Sequence, residues 1–480
     1  MRSASGSRQS WLWIAGALFV SAGCTDTDTV FVDRPFFEDP PASASGFLGY
    51  GTEDARLASF TVCGNCHIGS QSEWENTAHA HAWETLQASP GAQPFCEGCH
   101  TVSEAGNAAE GDVAYTATAD ARYEDVQCES CHGPGAGHVS NPEASQPLAS
   151  IAVGADLSNG CGECHAGAHQ PFVDEWSQSR HGFGGDASIR EREECNSCHE
   201  GRNALIAFGI DADYIEKGAA ESQAIVCAVC HDPHSAANEH QLRFPIDVPN
   251  IDQNLCMKCH QKRSVPELGS SRGPHSPQGP LLLGEDVGWI PPNFNTNIVR
   301  GTHGSEQNEE LCATCHVNAF EVTDPLTGDF VFNATGHLFQ PIPCLDPQGI
   351  PTTGDCALAE RTFASCTGAG CHGDETAART LYSTAQQRIQ NLVAQLDDQL
   401  AGVPASEFST TDDVLTVAEG ARFNLQLGEI ESSAIHNPFL TEALLLGSMQ
   451  AVQDEYGIAP SIAPVEIRER LAEITVSSPR

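Results

Sequence analysis

Cysteine and histidine residues dominate the chemistry that this 480-residue sequence could perform. Eight times the chain reads Cys-x-x-Cys-His, and a ninth segment reads Cys366-Thr-Gly-Ala-Gly-Cys371-His372. Two thiols three positions apart can each form a thioether with one vinyl group of a haem, and the next residue, His, then lies beneath the iron as its axial ligand. The spacing therefore predicts covalently bound haem c, about nine groups in all.

The nine segments are numbered sites 1 to 9 in chain order. The predicted haem-binding thiols are Cys63 and Cys66, Cys96 and Cys99, Cys128 and Cys131, Cys161 and Cys164, Cys195 and Cys198, Cys227 and Cys230, Cys256 and Cys259, Cys312 and Cys315, and Cys366 and Cys371. The predicted proximal ligands are His67, His100, His132, His165, His199, His231, His260, His316 and His372. A zinc ribbon would need two Cys-x-x-Cys pairs per ion and would give the recurring His no role. At site 9 an oxidised cysteine pair stays open as the alternative.

The other histidines are the candidates for the opposite side of each iron. Nine of the 20 His follow haem cysteines, and the Met residues offer little competition because one begins the chain and another lies inside site 7. The predicted distal ligands are His79, His138, His181, His234, His275, His303, His337 and His436, whereas His81, His169 and His240 have weaker context. Two His per iron give a low-spin centre that passes electrons without binding a substrate.

The cysteine positions reveal a duplicated three-haem unit. The first thiols of sites 1 to 3 and of sites 4 to 6 are spaced almost identically, which defines units at about residues 63–140 and 161–240. The segment Glu73-Trp74-x-x-Thr77-x-His79 recurs as Glu175-Trp176-x-x-Ser179-x-His181. Repetition of this kind suits a chain of cofactors to which each repeat adds a further stretch.

The N-terminus has the pattern of an export signal. Two Arg precede an apolar stretch over residues 11–20, followed by Ser21-Ala22-Gly23-Cys24. This box resembles a bacterial lipoprotein cleavage site, which implies a signal peptide over residues 1–23 and a lipid anchor on Cys24. Cleavage near Ala22 with Cys24 left spare is the alternative. We expect an exported protein, periplasmic or at the cell surface and anchored to the outer membrane, with a tether over residues 24–58.

The charge of the chain restricts its partners. The formal net charge is −41, so nucleic acid is an implausible ligand. Basic redox proteins acting as electron donor or acceptor suit this charge, as does cation-bridged assembly into a homo-oligomer. Simple solubility in a salty setting is the alternative explanation.

The composition predicts a mainly α fold with extensive coil and very little β structure. Aromatic residues are only 7% of the chain, so haem macrocycles should supply much of the buried apolar surface of a haem region at 59–372. Helical spacing of Leu381, Ile389, Leu392, Leu396 and Leu400 predicts a C-terminal helical domain at 373–480. Asn437-Pro438 should begin one of its helices. Three cysteines lie outside the nine sites. With Cys24 as the lipid site, Cys344 and Cys356 should form a disulfide, and pairing of Cys356 inside site 9 is the alternative.

A resemblance to a known group rests on several of these motifs. Three features resemble the tetrahaem to octahaem cytochromes related to pentahaem nitrite reductase and octahaem hydroxylamine oxidoreductase. They are Cys-x-x-Cys-His followed by Trp-x-x-[Ser/Thr]-x-His, the segment Glu129-Ser130-Cys131-His132-Gly133-Pro134-Gly135, and His436-Asn437-Pro438 before an apolar helix. The resemblance implies closely packed haem pairs. It does not extend to the Cys-x-x-Cys-Lys site of the nitrite reductases, because no Lys directly follows a haem cysteine.

These patterns favour an electron-transfer protein and leave open whether the chain is an enzyme. The first hypothesis is a lipid-anchored relay between respiratory redox proteins or across the cell envelope. A reductase of nitrite, hydroxylamine or a sulfur oxyanion is the second, and a filament-forming extracellular cytochrome is the third.

Overall fold

The computed structural model describes residues 46–107, 109–147, 160–167, 169, 171–211, 222–292, 294, 301–324, 326–368 and 371–477. The predicted signal peptide, Cys24 and the first part of the predicted tether lie outside these residues. Within the described part of the chain, no helix is both long enough and apolar enough to cross a membrane.

Short helices joined by coil make up most of the chain before residue 375. The α-helices there are α1 (Glu53–Leu57), α2 (Ile68–Trp74), α3 (Ala82–Ala88), α4 (Glu97–His100), α5 (Ala114–Thr118), α6 (Cys128–His132), α7 (Ala136–Ser140), α8 (Phe172–Gln178), α9 (Glu193–His199), α10 (Gly201–Ala207), α11 (Cys227–Cys230), α12 (Gln278–Leu283), α13 (Cys312–His316) and α14 (Ala364–Thr367). Turns of 3₁₀-helix include Cys63–Asn65, His79–His81, Pro94–Cys96, Ala121–Tyr123, Gly160–Glu163, Ala187–Ile189, Glu239–Gln241, Cys256–Lys258, Thr302–Gly304, Leu358–Glu360 and Ala405–Phe408. None of these elements is long enough to be stable without the packing around it.

The described β structure consists of two small antiparallel hairpins. Strand β1 (Phe320–Thr323) pairs with β2 (Phe330–Ala334), and β3 (Cys344–Leu345) pairs with β4 (Pro351–Thr352). A disulfide joins Cys344 to Cys356, with 6.0 Å between their Cα atoms, and closes the loop beside the second hairpin. The prediction of this disulfide and the prediction of a mainly α fold with extensive coil are confirmed.

Five further helices form the predicted helical region at the C-terminus: α15 (Glu375–Leu400), α16 (Val417–Glu429), α17 (Ser433–His436), α18 (Pro438–Tyr456) and α19 (Pro464–Ser477). As predicted, the side chain of Asn437 accepts a hydrogen bond from Leu440 N at the start of α18, and Pro438 occupies the first position. Helix α18 is buried on nearly every side because α15, α16 and α19 pack around it. A helix with apolar residues all round is typical of a core position.

The core of these helices extends into the haem region. Leu281 of α12 and Val287 belong to the same buried cluster as Leu396 and Leu445. Asn424 of α16 accepts a hydrogen bond from Trp289 N at 2.7 Å and donates one to Trp289 O at 2.8 Å. The C-terminal helices therefore share one core with the chain segment that follows site 7.

Residues 46–50 correct the predicted extent of the tether. Phe47, Leu48 and Tyr50 are each at most 2% exposed. The Tyr123 hydroxyl donates to Phe47 O at 3.0 Å, and the carboxylate of Glu129 accepts hydrogen bonds from Leu48 N and Gly49 N. Burial of three large apolar side chains stabilises this segment, so the prediction that the tether reaches residue 58 is wrong for these residues.

Helix α15 contains one buried and one exposed leucine. The same substitution at both positions separates the effect of core packing on stability from the effect of helix propensity. Leu396 is fully buried, whereas Leu381, which the sequence placed on the same stripe, is 55% exposed. We expect Leu396→Ala to lower the free energy of unfolding by about 3 kcal/mol, because it removes buried methyl groups and leaves a cavity. Leu381→Ala should change it by less than about 1 kcal/mol. Thermal unfolding followed by circular dichroism checks both, and equal losses would contradict this packing.

Candidate haem-binding sites

One turn of helix arranges the cysteines and the histidine at each site. The backbone N–H of the proximal histidine donates to the carbonyl of the first cysteine: His67 to Cys63 at 3.0 Å and His231 to Cys227 at 2.9 Å are examples. Residues three and four positions apart lie on the same face of such a turn. Both thiols and the imidazole can therefore approach one flat macrocycle.

Site 9 reproduces this contact despite its wider spacing. The N–H of His372 donates to the carbonyl of Cys366 at 3.1 Å, although two additional residues separate the cysteines. The insertion thus expands the loop without displacing the histidine from the first cysteine. Cys366 and Cys371 carry free thiols, which also leaves them available for thioethers.

Histidine rings face one another in pairs across the sites. Eight proximal histidines each have a second histidine whose ring centroid lies 6.0–6.4 Å away. The pairs are His67 with His138, His132 with His234, His165 with His79, His199 with His275, His231 with His337, His260 with His181, His316 with His436, and His372 with His303. The eight partners are the histidines predicted as distal ligands.

The separation of the paired rings fits an iron between them. A coordinating nitrogen lies about 2 Å from a transition metal, and the ring centre lies roughly 1 Å beyond it, so two ligands on opposite sides put their centroids about 6 Å apart. His436 adds a further sign of fit. Its ring is buried, and Nδ1 has no hydrogen-bond partner among the described residues, as suits an imidazole whose bonding is completed by a metal.

His100 of site 2 differs from the other proximal histidines. In the described part of the chain no second histidine ring faces it, yet its Nδ1 lies 3.0 Å from Ala82 O, like the oriented rings of other sites. The three histidines with weaker sequence context lie elsewhere: His81 contacts Glu75 O at 3.1 Å, and His240 and His169 are exposed. Site 2 thus has an oriented histidine beside its cysteines, and within the described ranges no second histidine ring lies opposite it.

Backbone carbonyls orient several of the rings. His231 Nδ1 lies 2.8 Å from His240 O, His316 Nδ1 lies 2.9 Å from Phe339 O, and His303 Nδ1 lies 2.8 Å from Ile435 O. A proton on Nδ1 that is donated to a carbonyl leaves the Nε2 lone pair free for a metal, and the contact fixes the orientation of the ring. His240 therefore serves site 6 through its carbonyl.

Burial keeps four of these imidazoles neutral. It lowers the pKa of His79, His181 and His337 to about 4 and that of His436 to about 3, because a charged imidazole loses its hydration when it is buried. Neutral imidazole is the form that binds a metal. Near neutral pH these side chains therefore need no deprotonation before they can act as ligands.

The duplicated motif makes the same contacts in both units. Trp74 Nε1 donates to Val126 O, and Trp176 Nε1 donates to Ile225 O. Each acceptor stands two positions before the first cysteine of the third site in its unit. The indoles thus tie each of these segments to the third site of its own unit.

Glu175 has acquired a contact that its counterpart Glu73 lacks. Its buried carboxylate accepts hydrogen bonds from Thr335 N at 2.9 Å, from the Thr335 hydroxyl at 2.8 Å and from His337 N at 2.7 Å. Gly336 between them has a φ of +79°, and a side chain there would collide with Val317. Glu175 therefore holds the loop that directs His337 towards His231. Glu73 is exposed.

The cysteine thiols show which sites are neighbours. Thiols of sites 1 and 3, 2 and 4, 4 and 6, 5 and 7, and 7 and 8 are immediate neighbours that influence one another's pKa. Thiols of sites 3 and 4, 6 and 7, and 8 and 9 are close enough to interact electrostatically. The neighbours form a path through sites 1, 3, 4, 6, 7, 8 and 9, with site 2 beside site 4 and site 5 beside site 7.

Known proteins share this arrangement of motifs. Residues 62–133 match the family described as cytochrome c554 and c-prime, and residues 218–265 match a doubled CXXCH motif. The chain is a multihaem c-type cytochrome. Its fold is similar to the crystal structure of the outer cell wall cytochrome OcwA, with a TM-score of 0.51 and 16% identity, covering 82% of this cytochrome and 98% of that chain.

Two relatives of this cytochrome are similar in sequence. The multiheme cytochrome MtrA of Shewanella baltica is 26% identical over 161 residues, which are 30% of this chain and 44% of that protein. The C-type polyheme cytochrome OmcC of Geobacter sulfurreducens is 24% identical over 224 residues, which are 45% of this chain and 24% of that protein. The matches span less than half of either relative. The resemblance to nitrite reductases and hydroxylamine oxidoreductases stays a prediction.

Sequence reasoning found the facing histidines and missed their pairing. His234 follows site 6 in the sequence but faces His132 of site 3, and His79 of the first unit faces His165 of the second. No spacing rule connects such distant positions, because the partner is chosen by how the segments pack. The repeat offers one signal: His79 and His181 each face the first site of the next group.

Glu175→Ala tests whether this carboxylate positions a ligand. We expect the loop at residues 335–337 to loosen and one additional ferric haem, that of site 6, to become high-spin, because His337 loses its backbone support. Glu73→Ala is the matched control and should leave the spectrum unchanged. Electron paramagnetic resonance of the oxidised proteins, with haems counted in the same samples, makes the comparison. Identical spectra for both variants would remove this role from Glu175.

Proposed function

We propose that this multihaem cytochrome moves electrons along nine covalently bound haems, eight of which have two histidine ligands. The observation that carries the proposal is the set of eight facing histidine pairs. An iron between two imidazoles has no open position for a substrate, so such a centre accepts and passes single electrons. Cys344 and Cys356 are already joined, and the other described cysteines belong to the nine sites and are free.

The neighbouring sites supply a continuous route for electrons. Electron transfer between haems slows steeply with distance, and each thioether sulfur is bonded to the edge of its macrocycle. Neighbouring thiols, such as those of Cys63 and Cys128 or of Cys256 and Cys312, would therefore bring the edges of two macrocycles close together. We propose a main path through sites 1, 3, 4, 6, 7, 8 and 9, with sites 2 and 5 as branches.

The proposed setting is outside the cytoplasm. The export pattern over residues 1–23 and Cys24 supports a lipid-anchored protein of the periplasm or cell surface, and the similarity to an outer cell wall cytochrome is consistent with this. Other redox proteins would be its electron donor and acceptor. A filament with haems continuous across subunits could exchange a ligand such as His436 between neighbouring chains, but His436 faces His316 of its own chain, which weakens the filament hypothesis.

Site 2 supports a second candidate function. Its His100 is oriented by Ala82 O and has no histidine opposite among the described residues, so an iron there would keep one position for a small ligand. A reductase of nitrite, hydroxylamine or a sulfur oxyanion would use this position. Such an enzyme would differ from the Cys-x-x-Cys-Lys nitrite reductases, because the proximal ligand would be histidine.

The electron-transfer proposal predicts the haem content and spin states. We expect the pyridine haemochrome assay to give nine haems per chain and electron paramagnetic resonance to show eight low-spin ferric centres, because eight irons have two imidazole ligands. Dithionite should reduce all nine. A count of eight haems would indicate that site 9 binds none and would favour the alternative of a disulfide between Cys366 and Cys371. Several high-spin centres would contradict the paired geometry.

The state of site 2 decides the second candidate. If it is open, the wild-type protein should show one high-spin ferric signal that shifts when nitrite or hydroxylamine is added, together with saturable turnover of that compound. His169→Ala should then leave the spectrum unchanged, as should the control His240→Ala. If the wild-type protein has no high-spin signal and the His169→Ala variant gains one, then His169 is the second iron ligand at site 2. That outcome would eliminate the reductase hypothesis.

A further inference from the structure

Positive charge is distributed unevenly along this acidic cytochrome. Between Arg56 and Arg180 the sequence contains a single Lys or Arg, Arg122, whereas residues 180–272 contain ten. Five Lys or Arg side chains are exposed in the described part of the chain: Arg180, Arg192, Lys262, Arg272 and Arg468. All but Arg468 belong to the segments that build sites 5 and 7. A concentration of cations in a chain with a net charge of −41 calls for a local function.

Three cations surround site 5. Lys262 is close enough to Cys198 to influence its thiol, and Arg263 interacts electrostatically with Cys195 and Arg272. His275, the residue that faces His199, lies beside both Arg263 and Arg272 and is exposed. A haem held by this branch site would therefore lie near the surface, next to positive charge.

These cations are not neutralised by nearby carboxylates. Among the described residues, no ion pair within 4 Å involves Lys262, Arg263 or Arg272, although Glu267 lies close to Arg263. By contrast, Arg56, Arg122 and Arg243 each pair with an Asp or Glu. Unpaired, partly exposed charges near a redox centre produce a field that attracts anions from solution.

The corresponding branch site of the first unit has the opposite charge. Sites 2 and 5 are the second sites of the duplicated units, and each lies beside the main path. At site 2 the neighbours of Cys99 are Glu104 and Glu163. The duplication has therefore produced two branch haems whose surfaces suit partners of opposite charge.

The loop that carries the cations of site 5 also exposes apolar side chains. Val265 and Leu268 are 43% and 56% exposed and belong to the same loop as Lys262 and Arg272. An apolar centre with a charged rim is the anatomy of a protein interface. A small anion would need the cations and would gain nothing from the two apolar side chains.

We propose that the site 5 surface, formed by Lys262, Arg263, Val265, Leu268 and Arg272, is the docking site of a small acidic one-electron carrier protein. The inference rests on the proposed electron-transfer function and adds to it the surface where electrons enter or leave and the partner that binds there. In the docked complex the reduced carrier loses one electron, the ferric haem of site 5 becomes ferrous, and that electron then passes to site 7. The reverse transfer uses the same surface.

Binding and electron transfer to an acidic carrier test the docking surface. The probe is a plant-type [2Fe–2S] ferredoxin, an acidic one-electron protein. Oxidised ferredoxin should bind the oxidised cytochrome in isothermal titration calorimetry, and 0.5 M salt should abolish binding. We expect Arg272→Glu to weaken binding about tenfold and the double variant K262E/R272E to weaken it further, with a matching fall in the rate at which photoreduced ferredoxin reduces the haems.

Arg468→Glu is the matched control, because Arg468 is exposed and lies on α19. It makes the same change in net charge and should alter binding less than about twofold. Equal losses at the two positions would overturn the docking surface and leave only a general effect of net charge. Loss of a dimer in Arg272→Glu, with unchanged ferredoxin binding, would also overturn it and assign the surface to self-association.

Dithionite distinguishes failure of docking from failure of the relay. If dithionite reduces all nine haems in each variant while the ferredoxin affinity of Arg272→Glu is unchanged, the docking inference fails and the relay stands. If dithionite leaves haems oxidised in the wild-type protein, the relay itself fails.

Discussion

Two imidazole rings held about 6 Å apart by distant parts of the chain are the arrangement on which the rest of this cytochrome depends. Helices before α15 are one or two turns long and the apolar clusters between them are small, so neither secondary structure nor core burial explains the organisation of residues 59–372. Eight facing pairs would each join two remote segments through an iron, and the proposed macrocycles would fill the space between them. Such cross-links restrict the unfolded chain as disulfides do.

Hydrogen bonds of buried carboxylates and of indoles hold the chain segments together without any contribution from a metal. Glu129 accepts backbone N–H groups from Leu48, Gly49 and Gly135, and Glu175 does the same for the loop of His337. A carboxylate loses its hydration on burial, and several donated hydrogen bonds offset that cost. Each carboxylate accepts hydrogen bonds from one chain segment while its own backbone belongs to another, and this fixes how the two segments approach each other.

The C-terminal helices complete the sites at the far end of the path. Helix α17 carries His436, which faces His316, and the carbonyl of Ile435, which orients His303. The core around α18 holds that short helix in place, because Asn437 caps α18 and donates to Leu281 O of α12. The region of the chain with the largest apolar core therefore positions ligands for sites 8 and 9, which follow the duplicated units.

The sequence by itself determined the chemistry: nine cysteine pairs, the histidine beside each, the eight second histidines, the duplicated unit and the Cys344–Cys356 disulfide. These follow from local spacing and from counting, which depend on covalent geometry and on the nearest turn of helix. Only the tertiary structure decided that His234 faces site 3, that site 2 has no facing histidine among the described residues, and that residues 46–50 are packed. Contacts between positions far apart depend on how whole segments pack, and no pattern of period two or 3.6 encodes that arrangement.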